Sequence, residues 1–204
     1  MRKKRLALLI VAAALLPGCE LAVLGAVGGG AYTAFEDRRT SGTRIDDEAI
    51  EIRASSRIDE RFGDKAHVNI TSFNGTVLVT GEVPSDQARG DVEKIITAVP
   101  NVRAVTNELQ VGAPSSLGAR TNDAFITSKI KARFLDAKKF NPVHVKVVTE
   151  AGVVYLFGVV TEKEADAAVD IARTTGGVRK VVKIFEFCKP EDEACRPRPS
   201  KEKS

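Results

Sequence analysis

Between residues 44 and 187 the apolar positions follow first one period and then another, and this whole succession occurs twice. Ile50, Ala54 and Ile58 stand four apart, as do Ile126, Ile130 and Phe134, which is the spacing of one face of an α-helix. Two alternating segments follow each helix. They are joined by Phe73-Asn74-Gly75 in the first copy and Glu150-Ala151-Gly152 in the second, both hairpin-turn sequences. Gly81 and Gly158 close the second strands, and Ser85 and Thr161 stand where an N-cap starts a second helix. A Pro-Asn or Gly-Gly break then leads into a last alternating strand, 102–111 or 178–187. Gly75 and Gly152 are 77 apart, as are Gly81 and Gly158, whereas the pairs Val102/Val178, Val105/Val181 and Leu109/Phe185 are 76 apart.

The prediction is an α+β fold of two tandem modules of roughly 65–70 residues, each α-β-β-α-β, with two helices packed on one face of a three-stranded mixed sheet. A unit of this size sits near the lower limit for an independent core, so packing of the two copies on each other is expected. The boundaries read as 44–112 for the first module, 113–119 for the linker and 120–187 for the second module.

The ends of the chain carry a different pattern. Arg2, Lys3, Lys4 and Arg5 precede an apolar stretch from Leu6 to Leu16, which is too short to span a bilayer but fits the core of a signal peptide. It runs into Leu16-Pro17-Gly18-Cys19, a lipobox-like sequence in which Cys19 sulfur would take a diacylglycerol, with residues 1–18 removed. A plain signal peptide or short anchor with an incidental cysteine is the competing reading. Glu20, rather than aspartate, after Cys19 favours the outer membrane, facing the periplasm. Residues 19–43 read as a tether, and 188–204 as a charged, Pro-rich tail. Cys188 and Cys195 suit a local disulfide in an oxidising compartment; a metal pair there lacks neighbouring ligands.

Processing changes the charge. The full chain has 31 basic and 27 acidic residues, but the first 18 residues hold four basic and no acidic ones, which leaves 27 against 27. The net charge of +4 therefore carries no argument for nucleic acid, and no nucleic-acid partner is expected.

The order α-β-β-α-β, the pattern V-x-V…G-x-V-x-L-x-G and the following helix and V-x-x-V strand resemble the BON domain. So do the segments 122–129 and 159–165. Two such domains behind a lipobox resemble dual BON-domain outer-membrane lipoproteins of the DolP/YraP type. That resemblance implies a non-enzymatic protein that binds anionic phospholipid through the first helix of its second repeat. It also implies support of envelope integrity, in some members at the division site.

Comparison of the two copies points to the same helix. Residues 43–65 carry five basic and seven acidic groups. Residues 118–140 carry Arg120, Lys129, Lys131, Arg133, Lys138 and Lys139 against only Asp123 and Asp136. Phe125, Ala132 and Leu135 fall off the core face, where the first copy has Ala49, Ser56 and Asp59. A phospholipid-contacting set of Phe125, Ile126, Lys129, Lys131, Arg133 and Leu135 follows. Packing of this stripe on the first repeat is the alternative. A second functional reading is a scaffold whose sheet or second-repeat helix binds envelope-assembly or division proteins.

No catalytic constellation, metal site or cofactor motif stands out. His67 and His144 read as sheet residues, and Asp46-Asp47-Glu48 as acids favouring a helix N-terminus. The 25–30 glycine run lacks the strand and lysine of a phosphate loop, and there is no tryptophan.

Overall fold

A computed structural model describes residues 37–195; the signal segment, Cys19, most of the expected tether and the end of the tail lie outside the described residues. Helix α1 (Ser41–Phe62) starts at Thr40, whose side chain accepts from Thr43 N. A 3-10 turn leads into β1 (His67–Phe73) and β2 (Thr76–Val83), then α2 (Asp86–Thr97) and the short β3 (Ala104–Asn107) and β4 (Gln110–Val111). The second copy repeats this as α3 (Leu117–Ala137), β5 (Lys146–Glu150), β6 (Val153–Val160), α4 (Glu162–Arg173) and β7 (Lys180–Phe187). In each sheet the middle strand pairs antiparallel with the strand before it and parallel with the strand after it, so both sheets are mixed.

Three boundaries differ from the sequence expectation. Helix α1 begins at Ser41, so the tether does not extend to residue 43. Helix α3 begins at Leu117, inside the stretch assigned to the linker. The last strand of the first copy is broken, because the Asn107 side chain accepts from Leu109 N and Leu109 turns into the core. In the second copy the equivalent strand runs unbroken over eight residues.

Each module buries its helices on one sheet face. Ile50, Ala54 and Ile58 pack with Val77, Val79, Val83, Val92 and Ile96; Ile126, Ile130 and Phe134 pack with Val154, Leu156, Val160, Ala168 and Ala172. The opposite sheet faces meet each other. Phe73 and Leu78 of the first module form one buried cluster with Tyr155 and Phe157 of the second, and the Phe73 and Phe157 ring centres are 6.0 Å apart. The resulting order is helices, sheet, sheet, helices, and it removes from water the sheet faces that two separate small modules would expose.

The hairpin turns are closed from the helices. Asn74 and Gly75 both have positive φ, as do Ala151 and Gly152, the geometry of a two-residue hairpin turn matched to strand twist. Asp47, buried in α1, accepts from Asn74 N at 2.8 Å, Gly75 N at 2.9 Å and Ser72 Oγ at 2.7 Å. Asp123, buried in α3, accepts from Ala151 N at 2.8 Å and Gly152 N at 2.9 Å. Asp47 therefore does not serve its own helix dipole as the sequence reading had it. It fixes the neighbouring turn.

Just ahead of α1, the chain is strapped across the module junction. Arg39 pairs with Asp47 at 2.9 Å and lies 4.0 Å over the Phe73 ring, on the first module. Arg38 donates to both Glu164 oxygens, at 2.7 and 3.0 Å, and to Val159 O, on the second. Burial opposes ionisation of Glu164, but the Arg38 and Thr161 hydrogen bonds outweigh it and bring its pKa down to about 2. A carboxyl held lower in the folded state than in the unfolded one contributes stability that is complete above the unfolded value. That stability is lost as pH falls through the folded value. Arg38→Ala is therefore expected to cost about 2 kcal/mol at pH 7, allowing for partial solvent contact. The gap to the parent chain should shrink between about pH 5 and pH 2 in urea unfolding series. A gap that stays constant over that range would refute the role given to this pair.

Candidate functional site

Helix α3 is built from a Ser116 cap, whose side chain accepts from Ala119 N, and ends at Lys138 in the left-handed conformation. At about 100° per residue, Ile126, Ile130 and Phe134 define its inward face, and Phe125 and Leu135 each point well away from it, about 80° apart on the outer side. The structure agrees. Phe125 is 60 % exposed and Leu135 64 %, while Ile126 is 0 % exposed. Ile126 thus drops out of the proposed contact set, since its side chain is a core residue against α4 and β6. The alternative in which the stripe packs on the first repeat is also corrected, because the modules meet through their sheets and leave this face open.

The basic residues divide into two groups. Arg133 donates to Ile171 O at 2.7 Å and Thr174 Oγ1 at 3.0 Å, and also to Thr175 Oγ1, so it braces the C-terminal end of α4. A cation suits that end of a helix. Lys129 donates to Gly176 O and holds its ammonium 4.8 Å from the Phe125 ring centre. Lys131, Lys138 and Lys139 are exposed and, among the described residues, form no ion pair. The outer face of α3 therefore presents Phe125 and Leu135 beside Lys131 and Asp136, with Lys129 behind Phe125 and with Lys138 and Lys139 just past the C-terminal end of the helix. Leu117, also exposed, extends the apolar line to the first turn of the helix.

One feature escaped the sequence reading. Ile45 and Ile52 of α1 are 68 % and 63 % exposed. They are seven apart and lie opposite the core face, so the same helical arithmetic would have found them. Exposed apolar residues are thus common to both first helices. What separates the helices is charge: on α1 the exposed Asp46, Glu48, Asp59 and Glu60 are matched by the exposed Arg44, Arg53, Arg57 and Arg61, whereas α3 and the residues just past its end expose Lys131, Lys138 and Lys139 against Asp136.

Cys188 and Cys195 form a disulfide, as the spacing suggested, and Cys195 is buried. Among the described residues no helix is long and apolar enough to cross a membrane.

The model of the BON domain matches residues 46–113 and 122–188. The chain is similar to "Outer membrane lipoprotein DolP" of Haemophilus influenzae, with 37 % identity over 188 residues, 90 % of this chain and 96 % of that protein. It is similar to the "21 kDa hemolysin" of Actinobacillus pleuropneumoniae, with 32 % identity over 78 % of this chain and 82 % of that one. "Osmotically-inducible protein Y" of Escherichia coli is 29 % identical over 69 % of this chain and 72 % of its own. Two modules of the same α-β-β-α-β order, each matched along its length, place the chain in the BON-domain family as a DolP-like protein with two BON domains.

Proposed function

We propose that this chain is a non-enzymatic outer-membrane lipoprotein, anchored through Cys19 and facing the periplasm, whose second BON domain docks on anionic phospholipid through α3. The observation that carries the reading is the exposure of Phe125 and Leu135 on the lysine-bearing outer face of a helix whose inner face is fully packed. An aromatic and an aliphatic side chain entering the headgroup boundary contribute about 1.5–3 kcal/mol each, and each nearby lysine about 1 kcal/mol on an anionic surface. Alone such a patch binds weakly. A lipid anchor on the same chain raises its effective concentration at the membrane. Envelope support would follow from holding the body against the bilayer.

The name of the Haemophilus relative supports the membrane and the lipid anchor, and the lipobox-like run at Cys19 supports the attachment point. The contact set that this reading retains is Phe125, Lys129, Lys131 and Leu135, with Lys138 and Lys139 added and Arg133 acting from behind.

The test is co-sedimentation of the chain from Asp37 onward with vesicles containing phosphatidylglycerol or cardiolipin, against phosphatidylcholine vesicles. Phe125→Glu plus Leu135→Glu is expected to reduce the bound fraction at least tenfold with the thermal midpoint unchanged, because both side chains already face solvent. Undiminished binding by this variant would remove α3 as the lipid contact.

The scaffold reading, in which envelope-assembly or division proteins are the partners, draws on Ile45 and Ile52. A helix with exposed isoleucines and balanced exposed charges suits a protein partner better than an anionic bilayer. The sheet faces, offered as an alternative docking surface by the sequence, are covered by each other.

A further inference from the structure

Where the two sheets meet, one edge of the junction is polar and negative. His67, the first residue of β1, and Glu82, its cross-strand partner on β2, come from the first module; Glu150, the last residue of β5, comes from the second. His67 Nδ1 lies 3.0 Å from a Glu82 oxygen, and the nearest ligand atoms of His67, Glu82 and Glu150 all lie within 4.8 Å of one another. All three side chains are half-buried. Among the described residues, no lysine or arginine pairs with Glu82 or Glu150. Withdrawing carboxylates from water without a cation is costly, so this edge lacks a positive charge that the chain's own lysines and arginines do not supply.

We propose that His67, Glu82 and Glu150 bind a divalent transition-metal ion, zinc by its donor preference, that clips the two BON domains together. One imidazole nitrogen and two carboxylates are a ligand set for zinc with a fourth position left to water. Both carboxylates are oriented by donors that leave their charge intact. Ser115 N of the linker donates to Glu82 at 2.9 Å, and Asn69 Nδ2 and Thr80 Oγ1 donate to Glu150 at 2.8 and 3.2 Å. Outer-shell support of this kind fixes ligand carboxylates in metal sites. Tetrahedral bonds of about 2.0–2.2 Å need ligand atoms about 3.3 Å apart, so the widest separation closes by at most about 1.5 Å, within the reach of a glutamate side chain. The ion would need one member from each domain, which makes binding report on the junction rather than on either module.

The test is calorimetric titration of zinc chloride into the untagged, full-length chain in detergent at pH 7 after removal of metals by chelator. One equivalent should bind, and the thermal midpoint should rise with zinc. His67→Gln and Glu150→Gln should each weaken binding tenfold or more, while thermal unfolding in chelator confirms that both variants fold. Glu150→Gln keeps an oxygen for Asn69 and Thr80, so it removes the charge with little change in packing. The proposal is overturned if the parent chain binds no zinc. It is equally overturned if the two variants bind zinc as the parent does.

Discussion

Replacing Asp47 with alanine is expected to lower the free energy of unfolding by about 3–5 kcal/mol, the range for removing one partner from a buried, charge-assisted network. The carboxylate holds two turn amides, the Ser72 hydroxyl and the Arg39 guanidinium at once. Alanine leaves the two amides and the Ser72 hydroxyl without this acceptor, while Arg39 keeps only its pairing with Asp37. Asp123→Ala removes only the two amide contacts of the second turn, and about 2–3 kcal/mol is expected. The duplicated fold thus supplies its own control, since the difference between the two variants measures what Ser72 and Arg39 add. Urea unfolding followed by far-UV circular dichroism gives both values. Hydrogen exchange at Asn74 and Gly75 should accelerate in the first variant alone. A loss below about 1 kcal/mol for Asp47→Ala would mean that the turns hold without the helices.

These aspartates show why part of the fold was legible and part was not. The helices and strands could be read because their core residues obey periods of 3.6 and 2, and the repeat doubled every signal. Ala151 adopts a positive φ, unusual for alanine, yet its alignment with Asn74 marked the turn. A buried carboxylate near the start of a helix looks like one that serves the helix dipole, because spacing along the chain says nothing of a turn 27 residues away. The start of α1 was misplaced because Ser41-Gly42-Thr43 has no apolar residue to extend the pattern. The sheet-to-sheet junction had left a trace: β6 is apolar at nearly every position, which suits a strand buried on both faces rather than on one. At α3, exposure of Phe125 and Leu135 followed from the helical period. The attachment of Arg133 to α4 did not, since it depends on where a second helix ends. Charge counts alone therefore overstated the number of cations facing outward.

Gly81→Ala is the other substitution expected to be severe, and it tests the close approach that builds the junction edge. Gly81 has φ +109°, a conformation that costs a residue with a β-carbon about 1–3 kcal/mol. That carbon would also lie 2.0 Å from His67 O, a backbone atom in the paired strand β1 that cannot rotate away. Steric overpacking adds about 1–3 kcal/mol, for a total loss of about 2–6 kcal/mol. Gly158, the matching residue of the second module, would place its carbon 2.3 Å from His144 O but lacks the positive φ. Gly158→Ala should accordingly cost only the steric part, about 1–3 kcal/mol. Equal losses in the two variants, read from urea midpoints at constant slope, would show that the backbone conformation at Gly81 is not needed. A larger loss at Gly81 has a further consequence. Displacing the His67 backbone moves its imidazole off Glu82, so this variant should also lose the zinc-dependent rise in thermal midpoint, whereas Gly158→Ala, on the far side of the repeat, should keep it.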